Sequence, residues 1–175
     1  MVKRKAVFFD RDGVLNQTFI KNGKPYAPRN IKDFKIFFNA ETVLKYLVSL
    51  NYLVIVVTNQ PDVGNGDIKK DIVIEMHDII FNSLPVKEVF VCYHSQDQNC
   101  LCRKPKTGML EEAKKKFNLD IKNSFLVGDR FSDIEAGKKF KLKTIMIGHG
   151  YGENSDVNPD FKIKKLEDLK RIILN

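Results

Sequence analysis

Short apolar runs, each broken by polar or charged residues and set apart from the next by a helical pattern, constrain this chain more than any other feature. Ala6 to Phe9, Tyr52 to Val57, Val89 to Cys92, Phe125 to Val127 and Thr144 to Ile147 are brief and rich in Val, Ile and Phe, as buried strands are. Between them Val43, Leu44, Leu47, Val48 and Leu50 fall at helical spacing, and Ile68 to Leu84 does likewise with Asp67 at the N-cap position. Further helices are predicted after Thr107, after Ser132 and over Leu166 to Leu174. Strand and helix in alternation imply βαβ units and a parallel sheet, an α/β Rossmann-like fold of three layers. No repeat or low-complexity linker divides the sequence, so residues 1–175 are expected to form one domain, large enough to bury a core without staples.

In such sheets ligands gather beyond the carboxyl ends of the strands. Those ends are legible: Asp10-Arg11-Asp12, Thr58-Asn59-Gln60, Cys92-Tyr93-His94 and Gly128-Asp129-Arg130. Asp10-Arg11-Asp12-Gly13 sets two carboxylates two residues apart. A polar turn accounts for that pattern; so does a nucleophilic Asp10 beside an acid/base Asp12. Thr58 offers a hydroxyl next to the Asn59 backbone amide, and Arg103-Lys104-Pro105 supplies fixed positive charge ahead of a helix. Gly128 to Asp133 adds the acids Asp129 and Asp133. Any one of these fits a solvated loop, but four at successive sheet ends point to one site.

Cys92, Cys100 and Cys102 are the only cysteines, and with His94 they lie within 11 residues. A redox Cys-x-x-Cys is absent, the odd count opposes a disulfide framework, and a cysteine nucleophile would compete with Asp10. Residues i and i+2 of extended backbone point to the same side. Cys92/His94 and Cys100/Cys102, facing each other across five intervening residues, therefore supply four ligands, a set that matches a closed tetrahedral Zn²⁺ site. Four protein ligands leave no place for substrate, so this zinc is expected to be structural and to brace the loop leading into Arg103 and Lys104. His77 and His149 have no such neighbours and are expected at the surface or satisfied in the core.

The net charge of +8 suits a polyanion or a multiply anionic small substrate, yet part of it lies in solvated helical faces such as Glu111 to Lys116. No nucleic-acid-binding signature accompanies it. At the start, basic residues precede an apolar run that Asp10, Arg11 and Asp12 interrupt too soon for an export signal or a membrane span. A reducing cytosol is then the expected setting, where thiols bind metal more readily than they pair.

Taken together, these residues resemble the haloacid dehalogenase superfamily of phosphotransferases, whose motifs are D-x-D-G, a strand-ending Ser/Thr, a Lys and G-D-x-x-x-D. The resemblance runs from Val7 to about Gly150. It is nearer still to the heptose-bisphosphate phosphatase branch, through Phe9-Asp10-Arg11-Asp12-Gly13-Val14-Leu15-Asn16, Thr58-Asn59-Gln60, Cys102-Arg103-Lys104-Pro105 and Gly108-Met109. That branch carries a zinc loop of the Cys-x-His…Cys-x-Cys kind, and histidinol-phosphate phosphatases are its siblings. The resemblance implies a monomeric Mg²⁺-dependent phosphatase of a small phosphorylated sugar, with neither nucleic acid nor membrane as partner. Asp10 would form an aspartyl-phosphate, and Asp12 would protonate the leaving oxygen and later deprotonate water. Asp10, the Asp12 carbonyl and Asp129 would hold Mg²⁺. Thr58, the Asn59 amide and Lys104 would bind the phosphoryl oxygens; Gln60, Arg103 and Arg130 would contact substrate; and Asp133 would orient Lys104 or a metal-bound water. Only Gln17 to Phe38 stands where relatives insert a cap, so a flap over Lys21 to Arg29 is expected. The chain departs from the branch at Gly64-Asn65-Gly66, where Ala-Arg-Gly is usual, and at Phe38-Asn39, where Pro-Gly is usual. A zinc-stabilised nucleic-acid-binding module is the rival from another class, but it has no account of acids at the strand ends.

Overall fold

In a computed structural model of the chain, which describes residues 3–152 and 156–173, the strand β1 (Lys5–Phe9) lies at the middle of a parallel sheet. A small antiparallel hairpin, β2 (Phe19–Lys21) and β3 (Lys24–Tyr26), follows it. Then come α1 (Ala40–Ser49), β4 (Tyr52–Asn59), a single turn α2 (Pro61–Gly64), α3 (Lys70–Ser83) and β5 (Glu88–Cys92). The rest is α4 (Gly108–Phe117), β6 (Phe125–Gly128), α5 (Phe131–Lys139), β7 (Lys143–Ile147), β8 (Phe161–Ile163) and α6 (Leu169–Ile173). Met1 and Val2 of the basic start, and Leu174 of the predicted last helix, lie outside the described residues.

The sheet runs β5-β4-β1-β6-β7-β8, all parallel. Alternation along the strands sends side chains to two cores. Val7, Phe9, Val54, Val56 and Val127 pack with Leu44, Leu47, Val73, Met76, Ile80 and Leu169 on one face. Ala6, Phe8, Leu53, Ile55, Val57 and Leu126 pack with Met109, Leu110, Ala113 and Ala136 on the other. Strands covered on both faces read as unbroken apolar runs, which is why they were visible in the sequence. Each fully buried Leu, Ile or Phe contributes roughly 1.5–3 kcal/mol to holding the layers together.

The strand order switches at β1, with β4 on one side and β6 on the other. Phe9 is level with Val56 and with Val127, so Asp10, one step on, emerges beside the last residue of β6 and two residues before the end of β4, its amide donating to the Val127 carbonyl at 2.9 Å. Open α/β sheets bind ligands at such a switch point.

Three expectations need correcting. Asp67 does not cap α3: the helix begins at Lys70 behind an extended Lys69, and the Asp67 carboxylate pairs with Arg29 at 3.0 Å. The sheet gains a sixth strand, β8, whose side chains are exposed except at Ile163. The last helix is split into a 3-10 turn, Leu166–Asp168, and the short α6.

Candidate active site

Four chain segments converge beyond the carboxyl ends of β1, β4 and β6 to form a cleft of about 460 Å³ lined by Asp10, Asp12, Lys104, Asp129 and Asp133 among others. At its floor the Lys104 ammonium lies 2.8 Å from Asp10 Oδ1, 2.6 Å from Asp133 Oδ1 and 2.7 Å from the Val57 carbonyl. Asp133 is at the third position of α5 and its other oxygen accepts from the Arg130 amide at 3.1 Å, which fixes the carboxylate against the helix start. Burial opposes charge on Lys104, but the Asp10 and Asp133 carboxylates outweigh it and hold the ammonium protonated.

The acids of the floor are crowded. Ligand oxygens of Asp10, Asp129 and Asp133 all lie within 4.8 Å of one another. Burial pushes Asp10 up to about 6, with Asp133 and Asp12 adding to it and Lys104 opposing. Burial pushes Asp129 further, to about 8, with help from the Asp10 and Asp133 charges. Asp129 Oδ2 packs against Gly13, where a Cβ would stand 2.0 Å away; Gly13 also has φ +82°, so the D-x-D-G glycine meets two demands at once. Asp129 Oδ1 is buried with no hydrogen-bond partner among the described residues. Mutually repelling carboxylates with an orphaned oxygen are the donor set of a hard divalent cation, and Mg²⁺ fits them.

Asp12 turns away from that cluster. Its carboxylate accepts from Arg11 Nε and Nη2 at 3.2 and 2.9 Å, Gln60 Nε2 at 2.7 Å and Asn16 Nδ2 at 2.9 Å. Burial pushes Asp12 upward, but Arg11 and these hydrogen bonds prevail and keep it below the usual carboxylate value.

The other expected residues are distributed unevenly. Thr58 is fully buried, and its hydroxyl accepts from Gln60 Nε2 at 2.8 Å. Gln60 lines the cleft, yet its amide is engaged with Asp12, Thr58 and Arg11 and is not offered to a ligand. The Asn59 side chain makes two hydrogen bonds to the Lys104 backbone, at 3.1 and 3.0 Å, tying the end of β4 to the loop that carries the lysine. Arg103 and Arg130 line the cleft, and Arg103 Nη1 is buried without a hydrogen-bond partner among the described residues. The hairpin brings Thr18, Pro25 and Tyr26 to the rim. Arg29, just past it, pairs with Asp62 at 2.8 Å and Asp67 at 3.0 Å and so clips the flap to the loop after β4.

Sequence reasoning gave no role to Arg11, Asn16 and Tyr151, and no partner to His77. Arg11 is wholly buried between the two acids, a placement that its neighbours in the sequence could have flagged. Tyr151 reaches Asp129 through its hydroxyl. His77, expected at the surface or satisfied in the core, is buried and lies 3.2 Å from Arg11 Nη1. His149 is exposed.

Beside the cleft, Cys92, His94, Cys100 and Cys102 form a second cluster. Cys92 Sγ is 3.5 Å from His94 Nδ1 and 3.6 Å from Cys100 Sγ, and Cys102 Sγ is 3.2 Å from His94 Nδ1. A tetrahedron with Zn–S of ~2.3 Å and Zn–N of ~2.0–2.1 Å has edges of about 3.5–3.8 Å; the donors fit zinc in number and kind, two of these three spacings match, and the Cys102–His94 edge is about 0.3 Å short. Burial, reinforced by a hydrogen bond with Cys102, pushes the Cys92 thiol up to about 12, while at Cys100 burial is outweighed by a backbone hydrogen bond and the thiol neighbours, which lower it. Gly64, at the site of the departure from Ala-Arg-Gly, lets α2 close on this loop: a Cβ there would stand 2.4 Å from the Ser95 amide nitrogen.

The fold is one shared with solved phosphatases, among them a HAD-like phosphatase from Mesorhizobium loti with a TM-score of 0.76 at 22% identity. A crystal structure of a D,D-heptose 1,7-bisphosphate phosphatase from B. bronchiseptica, complexed with magnesium and phosphate, superposes with a TM-score of 0.81 over 97% of this chain and 98% of that one, at 21% identity. A family model for polynucleotide kinase 3 phosphatase matches residues 5–161. The D-glycero-alpha-D-manno-heptose-1,7-bisphosphate 7-phosphatase of Campylobacter jejuni is 32% identical, over 98% of this chain and 95% of its own. The corresponding beta-anomer enzyme of Pasteurella multocida is also 32% identical, over 97% of each. The chain belongs to this polynucleotide kinase 3 phosphatase family, as a phosphatase grouped with the heptose-1,7-bisphosphate 7-phosphatases.

Proposed function

We propose that this chain removes the 7-phosphate of D-glycero-D-manno-heptose 1,7-bisphosphate in a Mg²⁺-dependent reaction through an aspartyl-phosphate on Asp10. What supports the reading is Asp10, held on Lys104 at the sheet's switch point with the carboxylates of Asp129 and Asp133 close by, in a chain with near-full-length relatives named for that activity. Bound at Asp10, the Asp12 carbonyl and Asp129, Mg²⁺ would neutralise the carboxylates and draw charge from the phosphoryl oxygens.

Asp10 Oδ attacks phosphorus; the Asp10 O–P bond forms as the bond to the sugar oxygen breaks, and Asp12 hands its proton to that oxygen. The resting Asp12 is ionised, and arrival of a phosphate dianion raises its pKa by like-charge repulsion, favouring the protonated form that acts as acid. Ionised again, Asp12 takes a proton from water, whose oxygen displaces Asp10 from phosphorus and releases inorganic phosphate. Lys104 and the Asn59 amide stabilise charge on the phosphoryl oxygens. Arg103, with its unpartnered Nη1, and Arg130 suit the substrate's second phosphate or its hydroxyls. The Cys92–Cys102 cluster holds one structural zinc that braces the Arg103–Lys104 segment, and the enzyme works as a cytoplasmic monomer.

The test is a panel with and without Mg²⁺: both anomers of the heptose bisphosphate, histidinol phosphate, hexose 6-phosphates and a 3′-phosphorylated oligonucleotide. Fastest Mg²⁺-dependent phosphate release from a heptose bisphosphate, abolished in Asp10→Asn, supports the reading. Preference for another member of the panel overturns the substrate, and activity surviving in Asp10→Asn overturns the mechanism.

A further inference from the structure

His77 stands on the inner face of α3 with Val73, Met76 and Ile80, among apolar side chains that give an imidazole no evident use. Its Nε2 is nevertheless 3.2 Å from Arg11 Nη1, across 66 residues of sequence. Arginine can only donate, so Nε2 is the acceptor and the ring is the neutral tautomer protonated at Nδ1. Burial and the adjacent Arg11 charge hold its pKa down at about 4, which keeps it neutral at physiological pH.

Arg11 is enclosed on every side. It is 0% exposed, its guanidinium stacks 5.4 Å from the Phe34 ring centroid, and its Nη2 also donates to Gln60 Oε1 at 3.0 Å. The Nε–Nη2 edge grips Asp12 while Nη1, on the far edge, is held by His77. A planar fork pinned at both edges cannot rotate about its own axis. If the His77 acceptor is removed, Nη1 becomes an unsatisfied buried donor, and the guanidinium gains a reason to swing toward another acceptor. Asp12 then loses the grip that fixes its carboxylate plane.

We propose that His77 is a positioning residue for proton transfer: by accepting from Arg11 Nη1 it locks the guanidinium that aims Asp12. The inference rests on the reading above, in which Asp10 is the nucleophile and Asp12 carries the proton. It separates two kinds of substrate. Heptose 1,7-bisphosphate expels a primary alkoxide and needs the proton; p-nitrophenyl phosphate expels a stable phenolate and does not. Because kcat/KM reports only the steps through phosphoryl transfer to Asp10, later use of Asp12 as a base leaves the comparison clean.

His77→Leu removes the acceptor, His77→Phe removes it while keeping a ring in the core, and His77→Gln keeps an acceptor oxygen. Melting curves identify which of the first two folds, and that variant is assayed with His77→Gln and Asp10→Asn. The expected result is a loss of at least about tenfold in kcat/KM on the heptose bisphosphate, part of the ~10²–10⁴ a positioned acid supplies. On the aryl phosphate the loss should stay within about threefold, and His77→Gln should recover most of the alkyl activity. Equal losses on both substrates, no loss on either, or a larger loss on the aryl phosphate overturns the positioning role. A wild-type enzyme inert on both compounds, or an active Asp10→Asn, overturns the parent reading and the inference with it.

Discussion

The ammonium of Lys104 sits 2.8 Å from Asp10 Oδ1 with little solvent access to either side chain, so the carboxylate and its counter-charge form one buried unit. Lys104→Met would leave Asp10 and Asp133 facing each other without that cation. We expect folding stability to fall by roughly 3–5 kcal/mol at neutral pH, the usual cost of removing one member of a buried pair. Phosphatase kcat/KM should fall by at least about a hundredfold, because a group stabilising transition-state charge has gone. Urea unfolding and steady-state kinetics check the two halves separately; an unchanged unfolding midpoint would show that the carboxylates do not depend on the ammonium.

Asp10 and Asp129 make stability without Mg²⁺ depend on pH in a stated direction. Their folded pKa values, about 6 and about 8, exceed the ordinary 3.8, so between these limits the folded chain holds protons that the unfolded chain has released. That contribution is complete below about pH 4 and is lost as pH rises through about 6 to 8. Relative to Asp129→Asn, which cannot titrate, the wild-type melting temperature should decline from about pH 5 to about pH 9, by ~2–4 °C for each kcal/mol. Added Mg²⁺ should raise the wild-type midpoint more at the upper end of that range. A difference from Asp129→Asn that does not vary with pH would contradict this.

Cys102→Ser removes one donor from the four-ligand cluster and should take bound zinc from about one per chain to well below it. Amide hydrogen exchange should quicken over residues 93–104 while the core strands stay protected. Activity should fall with the metal, since this segment carries Arg103 and Lys104. Elemental analysis together with exchange mass spectrometry would reveal a cluster that never held zinc.

Arg29 is half exposed where it bridges Asp62 and Asp67, so Arg29→Ala should change stability by no more than about 1 kcal/mol. Its effect should lie in KM, which should rise a few-fold as the flap comes unclipped, with kcat close to wild type. A large fall in kcat at unchanged KM would place Arg29 in the chemistry instead.

The parts of this molecule that were legible in the sequence are those whose signal is local. β1, β4, β5, β6 and β7 are buried on both faces or nearly so, and their composition says it. β8 escaped notice because two of its three residues are exposed, as did the hairpin strand Phe19–Lys21, which is exposed throughout. Asp67 imitates a cap because a polar residue precedes an apolar run; only the fold brings Arg29 to it. In the site, Asp10, Lys104, Asp129 and Asp133 were readable as strand and loop ends, since a parallel sheet must align them. The direction a side chain takes was not readable. Gln60 stood at the right strand end yet turns inward to Asp12, and nothing near His77 in the sequence discloses Arg11.

The central place of β1 has a consequence for how the enzyme comes into being. Asp10 is synthesised early, but Lys104 meets it across 94 residues, and the β6 side of the sheet is anchored to β1 by a hydrogen bond from Ala6 to Ser124 across 118. A chain emerging from the ribosome therefore has Asp10 well before β1 has a neighbour on each side. Such long-range pairing slows folding and leaves strand edges open in the interval. The acid cluster is thus a report on completed sheet assembly: no partially folded form that lacks β6 beside β1 brings Asp129 and Asp133 to Asp10.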